Sequence, residues 1–235
     1  METKQAMRKI PAGEAGFTLI EIAIVMVIIG LLLGGVLKGQ EMIENGRVRN
    51  AVSSLDGVSA AFNSYFDRYR RIPGDDGPNL ATLTARGGNW VNVTQFGNNN
   101  GVIASTAAQT FTGGGENDNF WQHLRAAGFI TGAPNLAGAA ALPLNAFSGL
   151  TGITNDAIMT GPGATGALNG NKVCLSRVPG KAAAALDAQL DDGVSNTGSV
   201  RATLGTPGLN TAPAVGAAVV PPYNEGNEYT VCRTF

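Results

Sequence analysis

A single histidine, His123, and two cysteines, Cys174 and Cys232, are the whole stock of imidazole and thiol ligands in the 235 residues. That count excludes a multi-histidine metal centre or a histidine-based zinc cluster. Charge is scarce too: charged residues make up 14%, and 16 basic side chains against 17 acidic ones leave a formal net charge of -1. Such a balance offers no bulk attraction to nucleic acid or to an anionic lipid surface, so no nucleic-acid partner is expected. Aromatic residues reach only 6% while glycine numbers 33, a mixture that favours turns and open loops over a dense aromatic core. The glycine runs lack the Lys-Ser/Thr ending of a phosphate-binding loop, and no nucleophile elbow sets a serine beside His123. No internal repeat is evident, and the chain is read as a non-enzyme. Its length suits one well-buried domain with an appendage.

The one long apolar run covers residues 17–37, FTLIEIAIVMVIIGLLLGGVL, broken by a single charge at Glu21. As a helix rising ~1.5 Å per residue it would be about 30 Å long, enough to cross a bilayer core. Lys4, Arg8 and Lys9 precede it, and the positive-inside tendency keeps that end in the cytoplasm and sends the rest of the chain outward. An ordinary signal peptide has a shorter apolar core, although Gly34, Gly35 and Gly39 could mimic its cleavage site. Glu21 stands out because a carboxylate at the centre of a membrane helix costs about 2.5 to 3.5 kcal/mol, so it needs a partner or must snorkel to the interface. Its place one turn inside the helix start favours its charge.

The junction Gly16-Phe17 directly before the run, with an acid at the fifth position counted from Phe17, resembles the prepilin peptidase site of type IV pilins, type II secretion pseudopilins and competence pseudopilins. The resemblance implies that residues 1–16 are a leader removed by prepilin peptidase, that Phe17 becomes the N-methylated terminus, and that the apolar helix is retained. It further implies that Glu21 meets the N-terminal amine of a neighbouring subunit and helps set the filament register. Many members carry proline at the twenty-second mature position, where this sequence has Lys38; Gly34, Gly35 and Gly39 would supply local helix weakness instead.

Beyond Lys38 the apolar pattern becomes periodic, with Val48, Val52, Leu55, Val58, Phe62, Tyr65 or Phe66, and Tyr69 marking one helix face. The helix is predicted to continue as an amphipathic stalk and to stop at Pro73-Gly74, so residues 17–72 form one element and residues 73–235 an extracytoplasmic head. Residues 74–118 read as loops with a short strand at 90–96. Residues 120–130 read as a short aromatic helix closed by Gly128, and residues 180–190 as an alanine-rich helix ended by Asp191-Asp192-Gly193. The stretch 203–222 reads as a Gly, Ala and Pro loop, and residues 229–232 as a last strand. The segments 120–130 and 186–202 are similar to parts of larger pilin-like proteins.

If the head is periplasmic, a Cys174–Cys232 disulfide is permitted; its closed loop of 58 residues would contribute roughly 3 to 4 kcal/mol. Buried free thiols are the alternative. By resemblance, the pair brackets a region like the disulfide-closed loop of type IV pilins. Asp75, Asp76, Asp191 and Asp192 lie in glycine-containing turns and are hard oxygen donors of the kind Ca2+ takes, although solvated turn aspartates read the same way. Arg47, Arg49, Arg68, Arg70 and Arg71, with Asp56, Asp67, Asp75 and Asp76 nearby, read as a solvated, salt-bridged face, while DNA-uptake pili offer a functional reading of the same arginines.

The expected fold is α+β and pilin-like: a long N-terminal helix, transmembrane in its first half, packed in its second half on an antiparallel sheet with long loops. The expected role is a structural subunit of a type IV pilus-like filament. It would wait in the inner membrane with its head in the periplasm and then polymerise with like subunits or other pilins. A type II secretion pseudopilin, or a minor tip pilin with an adhesive or ligand-binding head, are the alternatives.

Overall fold

The computed structural model describes residues 16–162 and 166–235. Lys4, Arg8 and Lys9, with the expected leader up to residue 15, lie outside the described residues. The chain divides into two units, the first ending at Ile43 and the second covering Glu44–Phe235.

Helix α1 is Leu19–Tyr69, 51 residues long. In its first-unit part every apolar side chain from Leu19 to Leu37 is exposed, and among the described residues α1 is the one helix long and apolar enough to cross a membrane. From residue 48 onward the three-and-four spacing takes effect: Val48, Ala51, Leu55, Val58, Ala61 and Tyr65 are buried. Ala51 and Ala61 join this buried face, while Val52 and Phe62 are only partly buried beside them. Of Tyr65 and Phe66, Tyr65 faces inward and Phe66 outward. The helix ends at Tyr69, before Pro73.

The second unit holds a four-stranded antiparallel sheet of β1 (Thr151–Thr154), β2 (Lys172–Pro179), β3 (Val200–Leu204) and β4 (Glu228–Thr234) in the order β1-β2-β4-β3. Phe235 meets Phe62 edge to face at 5.3 Å between ring centroids, and the Arg233 guanidinium pairs with Asp56 at 2.5 Å. Alternation along β4 therefore points one sheet face at α1 and the Cys174 and Cys232 positions at the other. Central β2 is buried at Val173, Cys174, Leu175 and Ser176 in succession, which is why it carries no polar alternation for a sequence reading to find. Both edges are closed. The Ile153 carbonyl on β1 accepts bonds from the Ser105 hydroxyl and the Asn117 amide, each at 2.9 Å, and Ala202 on β3 bonds Ser195 and Val219 through its backbone. Capped edges deny a foreign strand a template.

Helix α2 (Leu80–Thr84), α3 (Glu116–Ala126) and α4 (Gly180–Leu190) complete the regular structure, with 3-10 turns at Gly88–Asn92 and Gly138–Ala141. Helix α4 occupies the residues that its alanine run predicts. Helix α3 starts four residues before the predicted segment and ends before Gly128, which adopts φ of 80° as the left-handed terminator. The strand expected at residues 90–96 is absent. Gly87 and Gly88 take positive φ, the chain turns into the 3-10 helix, and Trp90 and Val93, three residues apart, go into the core. The Trp90 ring lies 5.4 Å from Tyr69, 5.8 Å from His123 and 6.2 Å from Tyr65. Gly74 is fixed by space: a Cβ there would come within 2.8 Å of the Glu116 carbonyl oxygen.

Candidate functional site

The N-terminal site is built from the chain immediately before α1. Gly16, Phe17 and Thr18 are non-helical, Phe17 is 83% exposed, and a Cβ at Gly16 would meet nothing within 4 Å. Thr18 caps the helix. Its carbonyl accepts the Ile22 N–H at 3.3 Å, and its hydroxyl accepts the Glu21 N–H at 3.3 Å. In return the Glu21 carboxylate accepts the Thr18 N–H and the Thr18 hydroxyl, both at 2.8 Å. This is a reciprocal capping box, which satisfies donors that a helix start otherwise leaves open. Glu21 is thereby held at the helix start beside Phe17, inside an otherwise apolar exposed surface. Further along, α1 is unbroken through Gly30, Gly34, Gly35 and Gly39, and Lys38 pairs with Glu41 at 3.1 Å on the surface.

In the head, Cys174 and Cys232 are direct cross-strand partners on β2 and β4, both buried, and are joined by a disulfide. The bond closes a loop holding α4, β3 and residues 205–227.

Asp191 and Asp192 end α4, and the fold adds Asp187 from its last turn, so that one oxygen from each of the three lies within 4.8 Å of the others. Asp187 escaped the sequence reading because it sits inside the alanine-rich helix; its place one turn before Asp191 was the available signal. Each carboxylate also serves the chain. Asp187 accepts the Tyr223 hydroxyl at 2.6 Å and the Gly193 N–H at 3.1 Å. Asp191 accepts the N–H groups of Ser199 and Val200. Asp192 accepts the Val194 N–H at 2.9 Å and the Thr197 hydroxyl at 2.5 Å. Burial lifts the Asp187 carboxyl to about 6, with its two acidic neighbours adding to the rise, while the Thr197 bond holds Asp192 low. The donor type suits Ca2+, and the hydrogen bonds also explain the cluster as the brace between α4, the 193–199 turn and β3.

Asp75 and Asp76 are neither solvated nor part of that cluster. Asp75 is buried and receives the Asn100 and Gly101 N–H groups at 3.0 and 2.6 Å. Asp76 is fully buried, bonded by the Tyr65 hydroxyl at 2.5 Å and by both Arg86 guanidinium nitrogens at 2.8 and 3.1 Å. The basic face is correspondingly thinner in partners than its sequence suggests. Arg70 reaches Asp67 at 3.6 Å, Arg71 donates to Asn99 at 2.7 Å, and Arg68 lies over the Tyr69 ring.

His123 is buried beside Tyr65. Its Nδ1 accepts the Gly74 N–H at 3.1 Å and its Nε2 faces the Gln95 carbonyl at 3.5 Å. Burial and the nearby Arg86 push the imidazole down to about 4, against the pull of Asp76 and the Gln95 carbonyl. It is a neutral packing group wedged between backbone segments.

Residues 12–37 match the family model described as the prokaryotic N-terminal methylation motif, the signature of type IV pilins and pseudopilins. The match spans the Gly16-Phe17 junction, Thr18, Glu21 and the exposed apolar stretch. Among curated proteins, none matches the chain.

Proposed function

We propose that this protein is a structural subunit of a type IV pilus-like filament, cut by prepilin peptidase between Gly16 and Phe17 and N-methylated at Phe17. The observation that carries this reading is the exposed, uninterrupted apolar surface of α1, which begins two residues after an equally exposed Gly16-Phe17 junction. An apolar surface of that length demands either lipid or other helices like itself. In the membrane, residues 17–37 hold the subunit with its head on the periplasmic side. In the filament, the same residues form the hydrophobic core, and the head with its capped sheet edges and Cys174–Cys232 bond forms the outer layer. The Glu21 carboxylate pairs with the N-terminal amine of a neighbouring copy.

Intact mass spectrometry of the chain from native membranes and from a sheared surface fraction tests this. A mature species starting at methylated Phe17, lighter by two hydrogens when unreduced and present in the sheared fraction, is the expected result. The same species confined to the periplasmic side of the membrane would replace the pilus with a secretion pseudopilus. A chain starting near Lys38 or later would overturn the filament reading.

A further inference from the structure

Residues 131–140 form a strap that buries none of its own side chains, between Ile130, which packs on the core, and the buried Ala141. One face of α3 holds it, through side chains at steps of four and three. The Asp118 carboxylate accepts the Gly138 N–H at 2.7 Å, and the Gln122 amide donates to the Leu136 carbonyl at 2.8 Å. The Arg125 guanidinium donates through Nε to the Thr131 carbonyl at 3.4 Å. These three side chains are 2%, 0% and 6% exposed, and in the strap they grip main chain. Among the described residues, no backbone–backbone bond ties 131–138 to another segment. The grip is also unsaturated, since Asp118 Oδ1 and Arg125 Nη1 are buried without a partner.

A segment that buries no side chain gives up little apolar burial when it lifts, so it belongs to the low-stability part of the head. What it leaves behind is a strip that reads one main-chain N–H and two carbonyls in a fixed order. The strip is selective at one point: Gly132 has φ of 121°, and a Cβ there would come within 2.7 Å of Arg125 Nε. An occupant therefore needs glycine directly after the carbonyl that Arg125 holds. The strap meets that demand, and so does the same strap of a second copy. We propose that the strip on α3 is an exchange site between copies: the strap lifts as a unit from a folded head, and residues 131–138 of a second copy take its place. Each exchanged contact replaces an identical one, so the balance is set by the concentration of copies and by the turns at the ends of the strap. The inference goes beyond the filament reading and stands on the head alone.

Two variants of the full chain, held in detergent at one chain per micelle, separate strap from strip. Gly132→Ala spoils the strap and leaves the strip intact, while Gln122→Met spoils the strip and leaves the strap intact. In the wild type the Gly138 amide should exchange with solvent about tenfold faster than the β4 amides, or more. Each variant should speed it about tenfold further, with β4 unchanged. Energy transfer between differently labelled copies then reads the exchange of straps. A mixture of the two variants holds a sound strap and a sound strip on different chains, so its association constant should be about tenfold that of either variant alone.

A Gly138 amide that exchanges no faster than β4, or no faster in Gly132→Ala than in the wild type, would overturn the proposal, because the strap would not open by itself. Released straps with no excess association in the mixture would sink it equally. If Gln122→Met loses β4 protection, Arg125→Met takes its place, since it removes the guanidinium and spares the bond from Thr94 to Gln122. Filament yield plays no part in the measurement, so a chain that never polymerises refutes the filament reading and leaves this test intact.

Discussion

The stretch 17–37 and the later part of helix α1, from Val48 to Tyr65, meet opposite fates. In the stretch 17–37 apolar residues follow one another on every side of the helix and all of them stay exposed. Between Val48 and Tyr65 they recur at steps of three and four, and the inward ones vanish into the head. The difference teaches that the arrangement of hydrophobic residues around a helix, together with their number, decides what it packs against. An all-round apolar surface cannot be satisfied by one small head, while a single stripe can be covered completely by a sheet.

The contrast is sharpened most by Leu55→Ala. Leu55 is buried in the head core, so the truncation should cost about 3 kcal/mol of head stability through lost transfer energy and a cavity. Chemical denaturation of the detergent-solubilised chain would show this, with membrane insertion unchanged. Ile28→Lys should do the reverse. A cation placed mid-helix costs about 2.5 to 3.5 kcal/mol of insertion energy, so alkaline extraction should release much more chain while the melting of the head stays the same. An Ile28→Lys variant that unfolds the head would break the comparison.

Removing the disulfide by Cys174→Ala with Cys232→Ala should destabilise the head by about 3 kcal/mol, because the unfolded chain regains the freedom of a long loop. The helix content of α1 in micelles, followed by circular dichroism, should not change.

The smallest expected effect is on acidification. His123 titrates near 4 in the folded head against an ordinary 6.5, so between those values the unfolded chain binds the extra proton. Head stability should therefore be highest above about pH 6.5 and fall toward pH 4, by at most about 3 kcal/mol. Asp187 works against this loss. Its carboxyl is raised to about 6, so the folded state takes up its proton first, and stability gains as the pH drops from about 6 toward the ordinary carboxylate range. Denaturation at pH 7, 5.5 and 4.5 should show a shallow net loss. Asp187→Asn should remove the opposing gain and steepen it.

The sequence by itself determined the features that local chemistry writes. These are the Gly16-Phe17 junction with Glu21 beyond it, the exposed apolar length, the stop of α1 ahead of Pro73, the Gly128 terminator, α4, and the last strand near Cys232. Each is set by residues within a turn or two of one another, through backbone limits, propensity and periodicity. Only the tertiary structure decided the rest. The order β1-β2-β4-β3 depends on pairings far apart in sequence, and β2 is buried on both faces, so it lacks the alternation that would have revealed it. Trp90 left its expected strand because the aromatic cluster around Tyr65 offered it a buried place. Asp75 and Asp76 look like turn residues, yet a loop some twenty-five residues further on and Arg86 close over them. Asp187 entered the acidic cluster because Tyr223 and the turn after α4 meet there. Burial of a polar side chain depends on what the rest of the chain brings to it, and only long-range packing supplies that.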